Sequence, residues 1–286
     1  MGGAGSGWFA SAGHVPQKHV DELHFTKSAI NTTLPDGSQV EGTNPNGFVR
    51  FEENPNLTSV EVATIDEYVA LDAHGYQAMN GVMRGNLSGT KNGPGEPEGY
   101  LDFNRNPIPI PEIKDKIKNI NNAIDANPLK QDQTVYRGIP AGYADQLIEK
   151  GSMTDNAFQS TSVDFNVAHN FGYSKTAAGS QTKWTDPKTQ TINVIQFTAK
   201  AGEGSVFSDH YGENELLLKG GTFKAVGVTT VDKIYLDNNP KESDYYLKVS
   251  GKQLSYSREL LTSGMKTRII TIERTTKDYA INTAGA

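Results

Sequence analysis

Two glutamates stand one residue apart at Glu213-Asn214-Glu215, entering the apolar run Leu216-Leu217-Leu218. Residues two apart on a strand point to the same side, so this spacing aims both carboxylates at one space. Holding both ionised is unfavourable. Their titrations couple, and one can stay charged while the other handles a proton. Two further segments carry reactive or charge-binding groups. Tyr136-Arg137-Gly138 ends a β-rich stretch, and Phe158-Gln159-Ser160-Thr161-Ser162 alternates in polarity. Each has an ordinary reading when taken alone: a solvated edge strand, a strand-to-turn join, an exposed edge. Their order and spacing carry the information. Ser160 lies 23 residues after Arg137, and Glu213 lies 53 after Ser160.

Helices and strands must position these groups. Thr64-Ile-Asp-Glu67 has the pattern of a capping box and opens a helix. Tyr76, Asn80 and Met83 repeat at i, i+4 and i+7, ending near Gly85. Pro111 suits a first helical turn, and Ile113, Ile117, Ile120 and Ile124 line one face of the helix that follows. Strands dominate after residue 133: 133–138, 157–162, 191–199, two strands joined at Gly220-Gly221 within 213–229, and a last one in 265–276. Short helices fill 141–150 and 164–172. Helices first and strands later predict an α+β fold.

The 286 residues include no cysteine, which excludes disulfide scaffolds, thiolate metal sites and a cysteine nucleophile. Lys plus Arg number 27 against 33 Asp plus Glu, a net charge of −6, so no basic surplus marks a nucleic-acid binder. No apolar run is long enough to span a bilayer, and no basic-then-apolar opening marks a secretory signal. Residues 1–56 read as a Gly/Ser/Asn/Pro-rich arm and 57–286 as the catalytic domain. His14, His19 and His24 fall five apart, off any one helical face, and read as solvated rather than metal-binding.

The three segments together resemble the mono-ADP-ribosyltransferase superfamily of the R-S-E type, which has bacterial toxin, vertebrate and bacteriophage members. Tyr76-x-x-x-Asn80-x-x-Met83-Arg84-Gly85 is similar to the family's helix with Tyr, Asn and Leu-Arg. Glu215-Leu-Leu-Leu-Lys-Gly-Gly-Thr-Phe223 resembles the family's stretch in which Leu, Gly and Phe follow the glutamate. The resemblance covers roughly residues 57–229 and the last strand. It implies two roughly perpendicular antiparallel β-sheets around an NAD cleft, with flanking helices. It also implies transfer of ADP-ribose from NAD to a protein side chain, with no metal.

On that resemblance Glu215 stabilises the positive charge that develops at the ribose as the glycosidic bond breaks. Arg137 offers its donor fork to a pyrophosphate oxygen or ribose. Gly138 lets nicotinamide approach the backbone. Ser160 holds Glu215 or the ribose, and Thr161 and Ser162 brace the cleft. Tyr76, Asn80, Arg84 and Phe171 (or Tyr173) complete the NAD contacts. Glu213 selects arginine as acceptor: a guanidinium is protonated at neutral pH and must lose a proton as it attacks. Residues 203–212 correspond to a mobile target-recognition loop, with Tyr211 or Phe207 as its aromatic contact. Residues 230–262 stand outside the family pattern as an insertion. The Gly/Ser-rich opening resembles phage head-associated proteins. It suggests a phage enzyme acting on a bacterial host protein in the host cytoplasm, with a secreted toxin as the competing context. An NAD glycohydrolase and a non-enzymatic virion-associated module remain as alternatives.

Overall fold

The structure, a computed structural model, describes residues 15–25, 32–33, 39–40, 46–70, 74–89, 99–102, 104, 106–178, 191–209, 213–236, 244–249, 252–257 and 265–275. Helices α1 (Ser59–Val69), α2 (His74–Met83) and α3 (Ile110–Asp125) come first. Ile113, Ile117, Ile120 and Ile124 of α3 are each at most 2 % exposed. At roughly 1.5–3 kcal/mol per buried side chain, this stripe fixes α3 against α1 and α2. The capping box of α1 lies earlier than the sequence reading put it. Thr58 Oγ1 accepts from the Glu61 amide, and the Glu61 carboxylate accepts from the Thr58 amide at 2.8 Å. Both T-x-x-E matches are present in the sequence. Thr64 is mid-helix, where its hydroxyl donates to the Val60 carbonyl, and Glu67 pairs with Lys116.

The strands are β1 (Gln17–Phe25), β2 (Thr32–Thr33), β3 (Gln39–Val40), β4 (Gln133–Ile139), β5 (Ser152–Asp155), β6 (Gln159–Ser162), β7 (Thr191–Ala199), β8 (Val206–Ser208), β9 (Glu215–Leu218), β10 (Gly221–Leu236), β11 (Asp244–Val249), β12 (Lys252–Ser257) and β13 (Lys266–Thr275). Helices α4 (Ala141–Lys150) and α5 (Phe165–Ala178) fall where short helices are predicted, α5 being longer. The main sheet runs β1-β10-β13-β7-β4-β6-β9-β8, with β5 also on β10. It has two parts. Strands β4 and β6 are paired at one position, Tyr136 with Ser162. The pairing is mixed rather than wholly antiparallel, because β1–β10 and β13–β7 are parallel. Gln17–Phe25, read as loose arm, is a strand. It covers the edge of β10 from Val228 onward, where β5 has ended. Within 230–262, β10 continues to Leu236, and β11 and β12 form a hairpin.

Alternation along the strands sorts the core by face. On one face Val135, Ile139, Ile195, Phe197, Leu216, Leu218 and Ile270 form a core with α4. On the other, Leu217, Val206 and Phe158 join α1–α3 in a second core. Ile192, Val194 and Ile269 join α5 in a third. The first core runs under both parts of the sheet. The second and third lie on either side of the β4–β6 junction.

Candidate active site

Glu215 opens β9, the middle strand of β6-β9-β8, in register with Ser162 on one side and Ser208 on the other. It shares a face with Leu217, toward the helices, and is 8 % exposed. Register puts Ser160 and Ser162 on this face too, opposite Leu217 and Glu215, and Ser160 is exposed. Ser162 and Thr161 brace the strands. The Ser162 hydroxyl donates to the Glu213 carbonyl at 2.8 Å and accepts from the Asp164 amide. Thr161 Oγ1 donates to the Leu216 carbonyl at 2.6 Å.

Glu213 is half-buried, and burial followed by the charge of Glu215 pushes its carboxyl up to about 7. The Glu215 charge thus contributes to the Glu213 shift, the coupling the spacing predicts, but burial is the larger cause. The folded chain therefore holds this proton more tightly than the unfolded chain, whose carboxyl titrates near 4.5. This group costs no stability below about 4.5, and the cost grows as pH rises toward about 7. Glu213→Gln removes that dependence. The variant should match the parent in melting temperature at pH 4.5 and exceed it at pH 8, by thermal melts across the range. Equal melting temperatures at both pH values contradict the assignment.

The helical layer supplies a buried polar chain. Asn80 Nδ2 donates to the Tyr68 hydroxyl at 2.9 Å, and Asn80 Oδ1 accepts from the Phe158 amide, one residue before β6. Asn80 therefore ties α1 and α2 to the strand carrying Ser160. Tyr68 packs edge-on to Phe158 and to Tyr76, which is 41 % exposed. Burial holds the Tyr68 phenol well above its ordinary value. The Asn80 bond opposes this, the Glu215 charge adds to it, and Arg137 and Arg84 oppose it. Tyr68 thus lies within electrostatic reach of both the carboxylate and the two guanidinium groups.

Arg137 belongs to the opposite face of β4, with Val135 and Ile139. It donates to Gln159 Oε1. Together with Arg84, Tyr143, Asp155 and Gln159 it lines a cleft of about 560 Å³, whose lining does not include Ser160 or Glu215. Arg84 makes a bidentate pair with Asp155, both bonds 2.9 Å, which holds Asp155 below the usual carboxylate range against its burial. Asp155 also accepts from the Ala157 amide, and Gln159 donates to the Ala157 carbonyl. One short relay therefore fixes both cations. Tyr68, Tyr143, Asp155 and Gln159 were not singled out in the sequence. Only Gln159, adjacent to Ser160, stood within a recognised motif.

Three sequence expectations change. Gly138 does not open space for a ligand on its Cβ side: a Cβ there would lie 2.1 Å from the Gly172 amide nitrogen and 2.3 Å from the Ala168 carbonyl oxygen. It lets α5 pack backbone-to-backbone on β4. Gly138→Ala should cost about 3 kcal/mol, as overpacking does, measured by urea unfolding; a cost below 1 kcal/mol contradicts this role. Phe207 is buried and stacks on Phe48 at 5.2 Å, so it is a core residue rather than an aromatic contact for a target. The segment 203–208 is packed too. Glu203 pairs with Arg274, whose side chain is buried, and its carbonyl accepts from the Leu129 amide. Tyr211 lies outside the described residues. Phe171, on α5, is 43 % exposed, and Tyr173 packs against the third core.

Among the described residues, His19, Asp21 and Asp232 bring donor atoms within 4.8 Å of one another. His19 is 3.0 Å from Asp232, whose other oxygen faces Lys266 at 3.0 Å. These read as surface ion pairs across β1, β10 and β13. Among the described residues no helix is long and apolar enough to cross a membrane.

The profile of the ADP-ribosyltransferase exoenzyme family matches residues 49–249, well over half of the chain. The chain belongs to that family. The matched span takes in all of the polar residues just described around Glu215 and Arg137, and excludes β1 and β13. No curated protein matches this exoenzyme-family chain. Solved structures do, at low identity. BECa, an ADP-ribosylating toxin of a binary enterotoxin of C. perfringens, is 16 % identical over 79 % of this chain and 45 % of its own, with a TM-score of 0.46. Plx2a of Paenibacillus larvae is 14 % identical over 77 % of this chain and 88 % of its own (TM-score 0.44). C3larvin, from the same organism, is 18 % identical over 79 % and 91 % (TM-score 0.40). The chain spans less than half the length of BECa.

Proposed function

We propose that this chain is a mono-ADP-ribosyltransferase that moves ADP-ribose from NAD to an arginine side chain of a protein and releases nicotinamide. The observation that carries the reading is the Glu213/Glu215 pair: Glu213, half-buried with its carboxyl pushed up to about 7 by burial and by the Glu215 charge, stands just before the strand that the buried Glu215 opens. Family membership supports the choice of NAD. In this reading the ribose C1′–N bond breaks and its electron pair leaves with nicotinamide. Glu215 stabilises the cation that develops at C1′. An arginine nitrogen attacks C1′ and gives its proton to Glu213. A base titrating near neutrality is suited to that transfer. Arg137 and Arg84, held by Gln159 and Asp155, supply the positive charge for the pyrophosphate.

The test is transfer of labelled ADP-ribose from NAD into agmatine and into bacterial lysate proteins. Label in both is expected, the lysate arm testing a bacterial acceptor. Nicotinamide release with label in neither makes the protein a glycohydrolase. No NAD turnover overturns the enzymatic reading.

A further inference from the structure

Asn214 separates the two glutamates and has φ +45°, the one non-glycine residue with positive φ among those described. This left-handed conformation costs most residues roughly 1–2 kcal/mol, and Asn tolerates it better than others. Asn214 is 2 % exposed, yet its Oδ1 accepts no hydrogen bond among the described residues. A buried amide oxygen without a partner is itself unfavourable. The side chain therefore does not explain why Asn stands there; the backbone does. The conformation is pinned from β6 and just beyond it. The Ser162 hydroxyl reaches the carbonyls of Glu213 and Asn214, and the Val163 amide donates to Asn214 O at 3.1 Å. The bend falls at the junction between Glu213, outside the strand, and Glu215, its first residue.

We propose that Asn214 is a positioning residue whose left-handed backbone sets Glu213 against Glu215 and so decides how the reaction divides between arginine and water. This rests on the transferase reading. Glu215 is fixed by strand register whatever Asn214 does. Glu213 has no ladder partner, and its placement depends on the bend. Relaxing the bend to an extended conformation leaves Glu215 in place and releases Glu213. The loss should then fall on transfer and spare NAD cleavage.

The experiment compares the full chain with Asn214→Ala and Asn214→Gly. Label in agmatine, nicotinamide release and melting temperature are read for each. Alanine disfavours the conformation and glycine accepts it. The expected result is a transfer-to-hydrolysis ratio at least about tenfold lower in Asn214→Ala, with nicotinamide release within about threefold of the parent. Asn214→Gly should restore the ratio to within about threefold. Equal ratios in all three proteins overturn the proposal. So does an equal fall in both variants, which assigns the effect to the side-chain amide. If Asn214→Ala does not fold, Asn214→Gly decides alone: the parental ratio supports the proposal, and a tenfold loss overturns it. A parent protein that releases no nicotinamide sinks the transferase reading itself, a result distinct from any difference between variants.

Discussion

Glu215→Gln is expected to slow nicotinamide release from NAD by about 10²–10³-fold, the loss typical of removing one preorganised group from a developing charge. Both branches, transfer and hydrolysis, should fall together, because both pass through the same ribose cation. The substitution keeps shape and removes charge at a site 8 % exposed, in register between Ser162 and Ser208. A neutral amide is easier to bury there than a carboxylate, so the melting temperature should hold. The variant should also bring Glu213 down in proton affinity, since the Glu215 charge is the second cause of its elevation after burial. Nicotinamide release within threefold of the parent, in a folded variant, removes Glu215 from the chemistry.

Glu213→Gln should separate the branches. Transfer to agmatine should drop about 10²–10⁴-fold, the range for losing a positioned general base, while NAD hydrolysis stays within about threefold. The pH profile makes the case specific. With Glu213 titrating at about 7, parental transfer should rise as pH increases through neutrality, because only the ionised carboxylate takes the arginine proton. Residual transfer by the variant should lack that limb. Parental-level transfer by Glu213→Gln would falsify the base assignment, and with it the argument for arginine.

The sequence made some of this legible and hid the rest for physical reasons. The isoleucine stripe of α3 and the Gly220-Gly221 break between β9 and β10 are local signals, and both hold. The Glu-x-Glu pair was visible as a spacing, but strand periodicity does not place it: β9 begins at Glu215, and Glu213 lies before it across the left-handed Asn214. Tyr68 was invisible as a site residue, since its position depends on α1 packing over β6, far away in sequence. Nothing local marks Asp155, because Arg84, which grips its carboxylate, stands 71 positions earlier. Gly138 was marked for the approach of nicotinamide to its backbone; on its Cβ side the group that approaches is the backbone of α5, a contact across distant sequence. The strand β1 lay hidden in a polar stretch because what makes it a strand is its pairing with β10, far away in sequence.

The single Tyr136–Ser162 pairing gives the sheet an uneven stiffness. Along most of its width bending must break a ladder, but at this line it strains one pair. The continuous core resists flexing toward one face. Toward the other, the packing under α1–α3 and that under α5 are separate blocks. Glu215 travels with one block and Gly138 with the other. The angle between them is then a mechanical degree of freedom whose compliance is concentrated at one line. A long ligand that grips both blocks does work against that compliance, and a short one that grips a single block does none. Discrimination between whole dinucleotides and their fragments would then come from leverage as much as from contacts.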